Sequence, residues 1–499
     1  MENFFKNLGS KSITYDDFII LPGFARGFSP NDVKLETNFS RNIKLKLPFV
    51  SSPMDTVTGE LVARWLALLG GLGIIHYNCS VDEQVKMVSA VKRFENGFIL
   101  DPQATAPDNL IKDVAGSGYS TIPVTEGGKA HGRLVGMLTR LDYDLEFHKD
   151  LPVKSRMVAL GNGLVVARKS EVSADGHLEI LKANEIIREK RLLALPIVDE
   201  AGNLLALATR ADIEKNLNFP AALKDKEKRL RVGAAIGTRD DDKKRVESLA
   251  AAGVDVLVID SGHGHTSFVG EMIKFLKNNF PAIDVVAGNV ATAAGVKYLA
   301  ECGADAIRVG VGSGSICTTQ EVTGVGRGQG TAVWECSQAA KSLPQPIPII
   351  ADGGIRKTGD MVKALLLGAS SVMLGNFLAG TYESLGEWVE LESGLKVKEY
   401  RGMGSKKAME LGSSTRYQIK DMKVRASEGV AARVLGKGHI YDLIPEAAAG
   451  LRQGLYKVGF ADIASMRQAA GEGQVFIEQR SSAARAEGNV HDLFDVVSG

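Results

Sequence analysis

The stretch Ala304-Asp-Ala-Ile-Arg-Val-Gly-Val-Gly-Ser-Gly-Ser-Ile-Cys-Thr-Thr-Gln320 joins a short apolar strand to a glycine-rich loop with a cysteine at its far end. Glycines at 310, 312 and 314 permit positive φ and close approach of the backbone to a ligand. Successive free amides in such a loop suit an anion. A glycine-rich loop alone is more often a turn. Cys317 changes that balance, because a thiolate is a nucleophile and inward-facing amides beside a bound ion tune its ionisation. The other three cysteines, Cys79, Cys302 and Cys336, stand in apolar or helical contexts and read as structural thiols.

Working outward, the strand-then-polar-loop unit recurs. Residues 47–50 lead into Ser51-Ser-Pro-Met-Asp-Thr-Val57, residues 60–69 have helical spacing, and Gly70-Gly-Leu-Gly-Ile-Ile-His76 reads as a second strand after a glycine stop. Further strands are expected at 231–236, 254–259, 283–287, 306–309, 347–351 and 371–374, eight in all with the first two. Polar or glycine-rich residues follow most carboxyl ends: Asp260-Ser-Gly-His-Gly264, Gly288-Asn289, the Cys317 loop, Asp352-Gly-Gly354 and Gly375-Asn376. A (β/α)₈ TIM barrel, an α/β fold, gathers such ends into one mouth. The alternation also allows an open, doubly wound sheet.

A chain of 499 residues exceeds one ordinary domain. Its formal net charge of +1, with both signs interspersed, points away from nucleic-acid or membrane surfaces and toward small anions bound locally. Four cysteines without paired spacing give neither a disulfide framework nor a zinc site. A nucleophilic thiol needs reducing surroundings, and the sequence has no secretory signal, no membrane-length apolar run and no peroxisomal address at Val497-Ser-Gly499, so the cytoplasm is expected.

Residues 103–220 break the rhythm and contain a repeat. Thr121-Ile-Pro-Val-Thr125 leads to Gly136-Met-Leu-Thr-Arg-Leu-Asp142, and Leu195-Pro-Ile-Val-Asp199 leads to Leu205-Ala-Leu-Ala-Thr-Arg-Ala-Asp212. Each half is a Pro-containing strand, a turn, a second strand, then Thr-Arg-x-Asp at the start of a helix, where hydroxyl and carboxylate are good caps. The barrel is therefore expected in two parts, 1–102 and 221–499, around an inserted domain. The segment after Gly375 is too long for a barrel connection and lacks sustained periodicity, so a mobile flap is expected at about 385–440.

Ser313-Gly-Ser-Ile-Cys-Thr-Thr-Gln320 resembles the signature loop of the family of inosine-5′-monophosphate (IMP) dehydrogenase and guanosine-5′-monophosphate (GMP) reductase, and the similarity runs from Tyr15-Asp-Asp-Phe18 to Glu487-Gly488. The resemblance implies that Cys317 adds to C2 of IMP, that hydride passes to NAD⁺, and that water hydrolyses the thioimidate to xanthosine monophosphate (XMP), a step of guanine nucleotide biosynthesis. It implies phosphate contacts from Ser315, Gly354, Gly375 and Tyr400, ribose contacts from Asp352, pocket positions Ser52 and Met54, and purine contacts from Met403, Gly404 and Glu428. Asn376 replaces the family's usual serine. Thr319, Arg416 and Tyr417 would activate the water, an unusual task for an arginine, which ordinarily stays protonated.

No Rossmann glycine motif follows a first strand, so the NAD⁺ that the resemblance implies would lie in the barrel mouth and flap cleft, where the resemblance places Asp260, Ser261, Asn289, Arg308 and Gly310 as its contacts. The resemblance also implies K⁺ at Gly312, Gly314 and Cys317, aided by Glu487, Gly488 and Asn489 of a neighbouring subunit in a homotetramer or octamer; Asn489 replaces the usual glycine. It makes the insert a tandem cystathionine-β-synthase (CBS) domain whose Asp142 and Asp212 meet adenine or guanine nucleotides. The sister reading, an NADPH-dependent GMP reductase, is favoured by Arg425-Ala-Ser-Glu-Gly429 and opposed by the Arg416-Tyr417 pair. A non-enzymatic nucleotide sensor is opposed by the intact Cys317, Thr319, Arg416 and Tyr417.

Overall fold

The computed structural model describes residues 1–94, 98–99, 102–116, 119–174, 177–210, 219–413, 416 and 426–490. Eight parallel strands form one sheet: β1 (Phe49–Ser51), β2 (Ile74–Ile75), β3 (Gly233–Ile236), β4 (Val256–Asp260), β5 (Asp284–Val290), β6 (Ala306–Val309), β7 (Ile349–Asp352) and β8 (Ser371–Leu374). They pair in sequence order from β2 to β8, and β8 pairs with β1. Leu72 closes the ring: its N–H donates to the Phe49 carbonyl at 3.0 Å, and its carbonyl accepts from Ser51 N–H at 3.1 Å. That closure makes the fold a (β/α)₈ barrel and excludes the open doubly wound sheet.

The strands read as near-continuous apolar runs because both faces are covered. Val50, Ile74, Ala235, Val258, Val286, Ala306, Ile350 and Met373 fill the interior as one cluster. Phe39, Ile43 and Leu45 join it from the hairpin that pairs Thr37–Asn38 with Lys44–Leu45, plugging the amino-terminal end. Outside run α1 (Glu60–Leu68), α2 (Val81–Arg93), α3 (Asp240–Ala251), α4 (Ser267–Asn279), α5 (Ala293–Glu301), α6 (Gln329–Lys341), α7 (Thr358–Leu366) and α8 (Ile440–Val458), with α8 packed against both α7 and α1. Gly73 is required before β2, since a Cβ there would stand 2.2 Å from Ala63 Cα of α1.

The chain divides into two compact units, one comprising Met1–Lys92, Ala221–Asp225 and Arg231–Gly499, the other Arg93–Pro220 and Lys226–Leu230. The second unit thus starts at Arg93 rather than 103. In the barrel unit, buried Lys92 donates to Asp225 and Asp255, each at 2.8 Å, so the residues on either side of the insertion are tied together at the base of β4.

The second unit bears out the repeat strand by strand. Thr121–Thr125 pairs antiparallel with Leu134–Thr139, and Ala194–Val198 with Leu204–Thr209, with matching registers and a bulge at the equivalent place, Val124/Thr125 and Ile197/Val198. The halves grip each other reciprocally: Leu134 N–H donates to the Gly202 carbonyl and Leu204 N–H to the Gly132 carbonyl, both at 3.0 Å. Asp142 differs from the expected helix cap. Its carboxylate accepts from Thr139 N–H at 2.6 Å, closing a turn, while Asp144 caps the helix Leu145–His148. Asp212 lies outside the described residues.

The segment after Gly375 contains structure that its periodicity does not announce. Trp388–Glu390, Lys396–Arg401 and Ala431–Leu435 form a three-stranded antiparallel sheet, with a helix Lys406–Glu410 between the last two strands. The two outer strands are short and largely exposed, and the central one buries Lys398 beside Val397 and Tyr400, so no apolar alternation marks them.

His76, at the carboxyl end of β2, is 6% exposed, and its Nδ1 is buried without a hydrogen-bond partner among the described residues. Burial pushes its pKa down to about 4, against a partial opposing pull from Asp55. Below pH ~6.5 the unfolded chain takes up a proton that the folded chain refuses, so stability falls as pH drops toward about 4. In urea unfolding at pH 7 and pH 5, His76→Asn should lose about 2 kcal/mol less than the parent chain over that interval; equal losses would show that His76 does not carry the slope.

Candidate active site

The carboxyl ends of the strands open into one cleft of about 470 Å³. Its floor is an ionic network. Arg308 on β6 is 3% exposed; its Nη1 donates to Asp260 Oδ1 of β4 and its Nε to Asp352 Oδ2 of β7, both at 2.8 Å. Asn289 of β5 donates from Nδ2 to the same Asp352 oxygen at 2.8 Å and to the Gly310 carbonyl at 2.7 Å. Arg416 closes the set, pairing Nη1 with Asp260 Oδ2 at 2.5 Å. Two carboxylates thus face two guanidinium groups, the condition under which buried charge is tolerated.

The cysteine loop stands on this floor. Gly310 adopts φ +151°, and a Cβ there would meet the Asp352 carbonyl oxygen at 2.0 Å, so only glycine carries the chain past β7. Gln329, at the start of α6, donates from Nε2 to the carbonyls of Val309 at 2.8 Å and Asp352 at 3.0 Å, fixing the spacing of the two strand ends. Cys317 Sγ lies 3.1 Å from Thr319 Oγ1, which donates to Glu428 Oε2 at 2.9 Å. A thiol, a hydroxyl and a carboxylate therefore form one line along which a proton can move.

The segment around Glu428 is not loose. Cys317 bridges to Gly429 in strand fashion, Val430 N–H donates to the Ile316 carbonyl and Thr318 N–H to the Glu428 carbonyl, each at 3.0 Å. Glu428 N–H in turn donates to the Gly404 carbonyl at 3.0 Å, and Met403 is buried beside it. Burial pushes the thiols of Cys79 and Cys336 up to about 11 and about 12, as inert structural thiols require.

At the other end lies a glycine-lined cradle. A Cβ on Gly375 would meet Tyr400 Oη at 3.1 Å and Met54 Sδ and Ser52 Oγ at 3.3 Å, so glycine leaves a pocket lined by backbone and hydroxyl donors. Gly354, at φ +75°, Ser315 and Asn376 also line the cleft. Burial pushes the Tyr400 phenol up to about 12, while a hydrogen bond with Ser315 pulls the other way; the phenol stays a neutral donor.

Most residues expected from the sequence thus line one cleft: Ser52, Met54, Asn289, Arg308, Gly310, Gly312, Gly314, Ser315, Cys317, Thr319, Asp352, Gly354, Gly375, Tyr400, Met403, Gly404, Arg416 and Glu428. Asp260 and Ser261 stand behind it, Asp260 engaged by two arginines and Ser261 Oγ donating to the His263 carbonyl at 2.9 Å. Glu487 ends the helix Ser482–Glu487 and Gly488 and Asn489 follow it, all three outside the cleft lining of their own chain. Tyr417 lies outside the described residues. Sequence reasoning missed Gln329, whose only signal was its place after the loop in Gly326-Arg-Gly-Gln329.

The fold and site define a barrel enzyme class: a cysteine loop beside a glycine-lined cradle in a (β/α)₈ mouth. The sequence model of the IMP dehydrogenase / GMP reductase domain matches residues 12–491, and the chain belongs to that family. It is 45% identical over 491 residues to an inosine-5′-monophosphate dehydrogenase of Schizosaccharomyces pombe, covering 96% of this chain and 91% of the relative. It is 39% identical to the enzyme of the same name from Trypanosoma brucei brucei, covering 96% and 93%. Among solved structures, a GMP reductase variant from Trypanosoma brucei in complex with guanosine 5′-monophosphate superposes with a TM-score of 0.87 at 33% identity, covering 98% of this chain and 99% of that one.

Asp260→Asn leaves Arg308 and Arg416 short of a counter-charge in a site where Arg308 is 3% exposed. Breaking one side of a buried ion pair costs about 3 kcal/mol or more. Urea unfolding should register that loss; a change below about 0.5 kcal/mol, the usual range of surface substitutions, would show that the network does not hold the mouth together.

Proposed function

We propose that this chain oxidises IMP to XMP with NAD⁺ through a covalent Cys317 thioimidate. The observation that carries the reading is the line Cys317–Thr319–Glu428 beside Arg416 in a cleft that ends in an anion cradle. The near-full-length identity to IMP dehydrogenases supports it. In this reading Gly354, Gly375, Ser315 and the neutral Tyr400 phenol bind the phosphate, and Asp352, one oxygen of which is held by Arg308 and Asn289, accepts from the ribose hydroxyls. Cys317 sulfur bonds to C2 as its proton passes toward Thr319. After hydride has left C2, water oxygen adds there, the C–S bond breaks, and the thiol is restored.

Asn289 Oδ1 is buried without a hydrogen-bond partner among the described residues, and Asn289 lines the cleft, an acceptor suited to a hydroxyl of the dinucleotide. NAD⁺, when bound there, accepts the hydride. The carbonyls of Gly312 and Gly314 already accept from Gln320 Nε2 at 2.9 Å and Cys317 N–H at 3.1 Å, and each keeps a second lone pair for K⁺. Glu487, Gly488 and Asn489 would complete that site from a neighbouring subunit of a homotetramer.

Arg416 cannot act as a base while paired with Asp260, since a carboxylate at 2.5 Å stabilises the cation. Its role in hydrolysis requires release from Asp260. Thr319 and Glu428 offer the water a second route for its proton. The same pair favours the sister reading, a GMP reductase, in which Glu428 would protonate a leaving amine; the GMP-bound structural relative points the same way.

Incubation with IMP plus NAD⁺, and separately with GMP plus NADPH, distinguishes the two. With the dehydrogenase, Arg416→Ala should keep one burst of NADH while steady turnover falls roughly 10²- to 10⁴-fold, and a mass adduct should accumulate on Cys317. Cys317→Ser is the control that loses both. Unchanged turnover in Arg416→Ala would remove the arginine from the mechanism.

The repeat in the insert supports a tandem CBS domain that binds adenine or guanine nucleotides, with Asp142 a contact through the oxygen not engaged by Thr139. Replacing residues 94–220 with a short Gly-Ser bridge should leave basal turnover intact and abolish any response to those nucleotides. Loss of turnover in a folded deletion protein would mean that the insert completes the active site.

A further inference from the structure

Lys437 follows the last strand of the three-stranded sheet that carries Tyr400, and its side chain reaches the end of β8. Nζ donates to the Asn376 carbonyl at 2.5 Å, to the Phe377 carbonyl at 3.3 Å and, at 3.5 Å, to Asn376 Oδ1. Its backbone N–H donates to the Gly380 carbonyl at 2.8 Å. A Cβ on Gly380 would stand 3.0 Å from Lys437 Cγ and 2.1 Å from the Leu435 carbonyl oxygen. The lysine is therefore seated against the residues that follow Gly375.

All three of these acceptors are neutral oxygens. Buried Lys398, like Lys437, gives its ammonium to backbone carbonyls, those of Thr381, Tyr382 and Ser384, whereas buried Lys92 faces the carboxylates of Asp225 and Asp255. Lys437 has no such offset among the described residues, and burial alone pushes its pKa down. Carbonyl dipoles solvate an ammonium without cancelling its charge, and a half-buried charge favours an anion nearby. Across Asn376 and Gly375 lies the cradle formed with Ser52, Met54 and Tyr400.

We infer that Lys437 is a positioning residue for the phosphate of the nucleotide. It draws Asn376 Oδ1 toward its ammonium, which turns the amide N–H donors of Asn376 away from the lysine, and it supplies positive charge behind the cradle that meets a phosphate dianion. Asn376 thereby provides, through an amide, the donor that a serine hydroxyl would provide at that position. Because Lys437 continues the strand Ala431–Leu435 and Tyr400 sits on the paired strand Lys396–Arg401, one small sheet brings two independent groups to the phosphate end. The inference rests on the reading of the cleft as a nucleoside monophosphate site.

The test compares Lys437→Gln and Lys437→Arg with the parent chain by calorimetric binding of IMP and of inosine, and by steady-state kinetics. Lys437→Gln should weaken IMP binding and raise KM roughly ten- to hundredfold, as loss of a nearby charge predicts, with kcat changed less than about threefold and inosine binding unchanged. Lys437→Arg should recover most of the loss because it keeps the charge. Unaltered IMP affinity in folded Lys437→Gln would overturn the inference, as would equal weakening of IMP and inosine, which is the signature of a merely structural role. If Lys437→Gln does not fold, Lys437→Arg still decides: a loss of IMP affinity as large as tenfold would exclude charge as the contribution. If the parent chain binds neither IMP nor GMP, the site reading itself fails and takes this inference with it.

Discussion

The contact on which the rest of the mouth depends is Arg308 between Asp260 and Asp352. A guanidinium presents donors in a rigid fork, so one side chain can fix two carboxylates on different strands at once. Here it does so at 2.8 Å to each, spanning β4 and β7 from its place on β6. Asn289 adds β5 through the same Asp352 oxygen. Four consecutive barrel strands are thereby registered at their carboxyl ends. The cysteine loop leaves from the next residues of β6, so the position of Cys317 is inherited from that network and from the close passage of Gly310 over β7.

A second layer of the site comes from the segment that returns over the mouth. It pairs with the cysteine loop through Cys317 and Gly429 and with its own outgoing strand through Gly402 and Val430. Its chemistry-bearing residues are distributed between two ends. Glu428 stands beside Thr319 and Cys317, whereas Tyr400 lines the cradle and Lys437 is seated on Asn376.

The insert illustrates a different use of local pattern. Its halves share strand pairing, proline position and bulge, and they exchange equivalent hydrogen bonds through Leu134 and Leu204. A repeat of this size cannot bury the apolar faces of its strands alone, so pairing of the halves supplies the missing cover, as in the cluster of Leu134, Val198 and Leu204.

The amino-acid sequence by itself determined the barrel strands, the break in their rhythm, the repeat and the placement of Cys317, Asp352, Gly354 and Gly375 at strand ends. These follow from short-range rules: apolar runs buried on both faces, and glycine where backbone must pass close to something. Ring closure through Leu72, the pairing of Asp260 with two arginines, the alignment of Thr319 with Glu428 and the seating of Lys437 on Asn376 were decided only by the tertiary structure. Each joins residues distant in the chain whose local sequence carries no mark of the partner. A charged side chain reads as solvated until the fold removes the water around it, and which counter-charge replaces that water is a property of how strands and returning segments meet in space.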